Sequence, residues 1–132
     1  MESPKASLKF RNETNNSGYK FTELKSALQK YVRRGEWSKA IFCLDEILDF
    51  QHIEPKDNSE KSRLKSIDTN LKNRICIIYL EDVFVGNPNL VHRISDIVNM
   101  KELVSLYDNE AVELRNLVYL MSDTNHSILP SH

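Results

Sequence analysis

Glycine, proline and cysteine are scarce in this chain of 132 residues: three glycines, four prolines and two cysteines. Glycines at 18, 35 and 86 stand too far apart to build a phosphate loop. Such a loop needs clustered glycines and a Lys-Ser/Thr pair ahead of a helix, so that backbone amides can cradle the anion. Nucleotide hydrolysis by this chain alone is therefore not expected. Cys43 and Cys76 have no near neighbour of their kind, and His52, His92, His126 and His132 are dispersed. The close-spaced ligand set of a zinc site is missing, so neither a metal nor another cofactor is expected. Both cysteines sit inside apolar runs, where a free thiol packs as a small hydrophobe. That pattern suits a reduced, intracellular protein, in cytoplasm or nucleus. Residue order supports no Ser-His-Asp or Cys-His arrangement, so the expectation is no catalytic residue and no enzyme.

Long apolar runs are absent too. The longest, Ile75 to Leu80, falls far short of the ~20 residues that cross a bilayer, and the polar N-terminus has no signal-peptide core. No membrane association is expected. A net charge of −1 gives no global basic field, which excludes a strong non-specific grip on nucleic acid but leaves local patches open.

What the chain does have is helical periodicity. With 40% hydrophobic and 28% charged residues it suits one globular domain. Residues 1–20 read as a flexible tail, with Leu8 and Phe10 as its large apolar groups. Phe21, Leu24, Leu28, Tyr31 and Val32 follow helical spacing behind Thr22 as N-cap, and Gly35 supplies the left-handed residue that ends the helix. Trp37, Ala40, Ile41, Leu44, Ile47 and Leu48 make a second stripe from Glu36 to Phe50, so the two helices form an antiparallel hairpin. Residues 51–66, with His52, Pro55, Asp57, Asn58 and Ser59, read as a mobile loop, helical in part from Lys61 to Ser66.

A third helix is expected from Thr69 to about Phe84, apolar on all sides and hence central. Asn87-Pro88 is a start signal for a fourth, carrying Leu90, Val91, Ile94, Ile97 and Val98. A short segment from Leu103 to Tyr107 follows, then a last helix capped by Asp108 or Asn109 and bearing Ala111, Leu114, Leu117, Val118 and Met121. Residues 21–122 thus form the domain, and residues 123–132 a C-terminal tail. The fold class is all-α: a compact bundle of about five to six helices, built around the hairpin and a central apolar helix.

Two polar groupings stand out. Lys25, Lys30, Arg33, Arg34 and Lys39 make the hairpin tip basic, with Tyr31 and Trp37 beside it. Cations near aromatics hold phosphate backbones and stacked bases; equally, they form an ordinary solvated helix end. Lys25, Lys30, Arg33, Arg34, Trp37 and Lys39 are the candidate contacts for a partner or for nucleic acid. Glu81 and Asp82 end the most apolar helix, about 11 Å along its axis from Arg74, too far for easy direct pairing. Arg74, Glu81, Asp82 and Asn87 are taken as structural polar anchors that partner other helices; general acid/base work is the minor alternative for the carboxylates.

Ser26-Ala27-Leu28-Gln29-Lys30, Arg33, Ala40, Asn70-Leu71, Arg74-Ile75, Leu80-Glu81-Asp82-Val83 and Asn87-Pro88 together resemble the helical region that follows the ATPase core in RarA/MgsA-type AAA+ proteins. Related modules without the ATPase occur in phage and large DNA virus proteins. The resemblance covers about residues 21–100 and implies a helical module that supports assembly at stalled replication forks. The ATP-binding core is missing here, and the charged stretch 51–66 departs from the family's shorter connection. The expectation is a noncatalytic helical adaptor on replication or repair machinery, from a DNA virus or phage, with a protein partner. Direct DNA binding by the basic tip is a second reading. A tetratricopeptide-like scaffold, suggested by Gly35 to Ala40, is a third, weakened by the lack of a second copy at a fixed period. Self-association stays open.

Overall fold

Phe21, Leu24, Leu28 and Val32 recur at helical spacing, and in the computed structural model, which describes residues 14–99 and 109–128, they are the buried face of α1 (Phe21–Arg33). The helix ends in a Schellman turn: Gly35 takes φ +72°, its N–H reaches the Val32 carbonyl, and the Glu36 N–H reaches the Tyr31 carbonyl. The chain reverses and enters α2 (Trp37–Leu48), which buries Ala40, Cys43, Leu44, Ile47 and Leu48 against α1. A 3-10 turn, Asp49–His52, then sets Phe50 edge-on against Phe21, with ring centroids 5.9 Å apart.

Three further helices follow among the described residues: α3 (Asn58–Asp82), α4 (Val91–Asn99) and α5 (Asn109–Ile128). The result is an all-α bundle. Among the described residues the β pairing is a single isolated bridge between Thr14 and Lys20. No described helix is long and apolar enough to cross a membrane.

Several boundaries differ from the sequence expectation. Residues 14–20 are anchored rather than a free tail: Asn15 donates to the Glu46 carbonyl at 2.7 Å and its own Oδ1 accepts from Ser17 and Tyr19. α1 therefore starts at Phe21, with Lys20 and not Thr22 in the cap position. α3 begins eleven residues before Thr69, inside the expected loop. Asp57 is the reason: its side chain accepts the Glu60 N–H at 2.9 Å, while the Glu60 carboxylate accepts the Lys56 N–H at 3.3 Å. The first fully buried residue of α3 is Ile67, and its opening turns are held by this cap, by local pairs such as Arg63–Glu60 and by Leu64, which packs half-buried on the core. α5 continues to Ile128, through residues expected to be a tail. The expected features around Leu8 and Phe10, from Leu103 to Tyr107, at Asp108 and over 129–132 lie outside the described residues.

The central helix is also a different one. α1 packs against α2, α3 and α5, whereas α3 packs on α1 and α4 and leaves Ile77 and Leu80 exposed at 42% and 58%. An unbroken apolar run covers every side of a helix, but only the sides that find neighbours are buried. Ile75, Ile78 and Tyr79 face the core, Cys76 packs half-buried at its edge, and Ile77 and Leu80 face out.

Candidate interaction surface on the helical hairpin

The last described helix is seated directly on the turn between α1 and α2. A Cβ placed on Gly35 would lie 2.6 Å from both the Cα and the backbone N of His126. One residue earlier, buried Asn125 donates from Nδ2 to the Val32 carbonyl at 2.8 Å, satisfying the end of α1 from outside the helix. Arg115 of α5 adds a 2.8 Å ion pair to Asp45 of α2.

The six predicted contact residues divide in this setting. Lys30 and Lys39 come from different helices and converge on one ring: their ammonium groups lie 4.8 Å and 5.6 Å from the centroid of Tyr31. Lys39 also pairs with Glu36 at 3.2 Å. Arg34 is exposed beside them and has no ion pair among the described residues. Arg33 is turned toward α3, where its Nε donates to Asp82 at 3.3 Å. Lys25 does not belong to the tip: its ammonium sits 5.0 Å over Phe21. Five residues at 100° each place it about 140° round the helix from Lys30. Trp37 was expected in the buried stripe of the second helix; it is 47% exposed and packs edge-on against Tyr119 at 5.4 Å. It opens α2, so α1 has already turned away from it.

The expected anchors form a linked set through a residue the sequence analysis did not single out. Gln29 is buried between α1 and α3; its Oε1 accepts from Arg74 at 2.8 Å, and its Nε2 donates to Glu81 at 2.9 Å and to Asp82 at 3.1 Å. Arg74 and the carboxylates, too far apart to pair along their own helix, are bridged by this amide. Two cations and two carboxylates, counting Arg33, balance around it. The visible signal was a polar residue flanked on the helix face by Leu28 and Val32. Asn87 is an anchor of another kind. It precedes the 3-10 turn Pro88–Leu90, but its side chain makes no cap and donates instead to Thr124 of α5 at 3.2 Å, while its carbonyl accepts the Tyr79 hydroxyl at 2.8 Å.

Beside Tyr31 lies a groove of about 420 Å³ between α1 and α2, lined by the apolar and aromatic side chains of Tyr19, Leu24, Ala27, Tyr31 and Phe42 together with the polar Glu23, Ser38 and Lys39. Tyr19 and Phe42 meet edge to face at 5.7 Å, yet remain 42% and 48% exposed. Among the described residues no cluster of three or more His, Cys, Asp or Glu side chains is arranged to hold a metal ion. Burial pushes the Cys43 thiol up from its ordinary range, opposed by Lys30, so its reactive thiolate is disfavoured. The surface around the groove presents cations and aromatic faces.

Comparison with protein-family models, curated proteins and solved structures finds no match to this chain.

Proposed function

We propose that this protein is a noncatalytic helical interaction domain that docks a protein partner through the basic end of the α1–α2 hairpin. The convergence of Lys30 and Lys39 on Tyr31, at the mouth of an open aromatic groove, carries this reading. Tyrosine is among the side chains that dominate binding energy at protein interfaces, and lysines around it steer an oppositely charged partner to the site. The resemblance to the helical region beside the AAA+ core adds the context: replication or repair machinery, and a DNA virus or phage as source.

The test is a charge reversal that spares the interhelix network. Lys30→Glu with Arg34→Glu alters two exposed residues, so the helical circular dichroism should be unchanged while co-precipitation of the partner from producing cells is lost. Retention of the partner by the doubly reversed variant would overturn the assignment.

Direct nucleic-acid binding is the second reading, favoured by the exposed aromatic pair of Trp37 and Tyr119 and by exposed Arg34. It requires nuclease-sensitive capture and a log–log salt slope of about −0.7 to −0.9 per phosphate contacted. The tetratricopeptide-like reading has less support, since the five described helices span 13, 12, 25, 9 and 20 residues with no recurring pair.

A further inference from the structure

We infer that the groove between α1 and α2 receives a short acidic amphipathic peptide segment of a partner protein. Its apolar anchor would lie between Tyr19, Ala27, Tyr31 and Phe42, and its carboxylates against Lys30 and Lys39. This rests on the protein-docking reading and names the chemistry of the partner.

The floor and the charges decide the occupant together. The groove's about 420 Å³ sits low in the range of about 300–1,000 Å³ typical of ligand pockets, enough for anchoring side chains but not for a folded surface. Two large aromatics remain half exposed around it, an arrangement whose apolar area is removed from water only when something lies across it. The charges are unevenly placed. Both lysine ammonium groups stand at the Tyr31 end, and Glu23 stands at the other. Eight helical residues separate Glu23 from Tyr31, a rise of about 12 Å, which matches a ligand of about two helical turns. A ligand carboxylate at the Tyr31 end adds to Lys39, whose ammonium has three donors and spends only part of them on Glu36. At the opposite end Glu23 repels a second carboxylate, so the segment has a preferred direction. The same Glu23 disfavours a phosphate backbone running the length of the groove, which separates this occupant from nucleic acid.

The experiment selects binders from a random linear peptide display library on the full chain. Enriched sequences are expected to combine Asp or Glu with a large apolar anchor. Synthetic versions should bind at least about tenfold more weakly to Phe42→Ala and to Lys39→Glu than to the parent. Both positions are exposed, so circular dichroism should report intact helices in each variant. The inference is overturned by no enrichment, by basic sequences, by affinity indifferent to Phe42→Ala, or by equal displacement with a thymidine oligonucleotide of matched charge. Failure of the two readings is separable. Partner capture that depends on Lys30 and Arg34 but not on Phe42 removes the groove assignment alone. Capture indifferent to the reversed tip removes the docking reading itself.

Discussion

Replacing Gly35 by alanine should be among the most damaging single changes in this protein, by two routes that add. At φ +72° a side chain in the left-handed region costs about 1–2 kcal/mol. The added methyl would also lie 2.6 Å from the backbone of His126, and backbone cannot rotate aside as a flexible side chain can. α5 must lift from the turn, which breaks the buried bond from Asn125 to Val32 and costs about a further 1–3 kcal/mol. The sum, about 2–5 kcal/mol, is a large share of the about 5–15 kcal/mol that holds a typical domain folded. Thermal melting should fall by roughly 6–25 °C at this chain length. Urea unfolding followed by circular dichroism measures the loss. The single tryptophan, Trp37, gives a second probe, because its ring rests on Tyr119 of the displaced helix. Gly35→Asn divides the two routes. Asparagine tolerates the left-handed region but carries the same Cβ, so it should recover only the conformational part. A Gly35→Ala protein within about 0.5 kcal/mol of the parent would show that α5 is not seated on this turn.

Further expectations concern other parts of the fold. Gln29→Leu removes the bridge among Arg74, Glu81 and Asp82 and should cost about 1.5–3 kcal/mol in urea unfolding, the range for hydrogen bonds to charged groups; a neutral result would refute the bridging role. Asp57→Ala removes the N-cap of α3 and should cost about 1 kcal/mol, with faster amide hydrogen exchange confined to its first turns. Iodoacetamide on the folded protein should modify half-buried Cys76 well before buried Cys43, read by peptide mass spectrometry; equal rates would contradict the packing of α2. Burial raises both the Cys43 thiol and the Tyr79 phenol, so each keeps its proton in the folded state after the unfolded chain has lost it. Stability should hold below about pH 8.5 and decline above it as the thiol and then the phenol titrate; Cys43→Ala should flatten the first part of that decline.

Much of the architecture was legible because helical spacing and turn chemistry are local. Gly35 announced both the end of α1 and the reversal, since few other residues accept that conformation. The start of α3 was hidden for a similarly local reason: Pro55, Asp57, Asn58 and Ser59 resemble a loop until Asp57 and Glu60 are read as a cap and its return partner. Other features depend on the third dimension. Periodicity shows that Trp37 and Leu80 lie on apolar faces, but not whether another helix arrives to cover them. Gln29 could be seen as a polar residue beside a buried stripe, yet its three charged partners stand on a helix more than forty positions away. The groove likewise required Tyr19, which precedes α1, to be folded back against Phe42.

The bond between Asn125 and Val32 joins positions 93 apart in the chain. During synthesis the hairpin and its Schellman turn can form early from neighbouring segments, whereas the cover that α5 lays over that turn waits until residue 125 has cleared the ribosome. Long-range closures of this sort slow folding, because the entropy of a large loop is spent before any contact rewards it. Nascent chains halted before that residue should therefore expose a turn not yet covered by α5 to chaperones and proteases, even with both hairpin helices already wound.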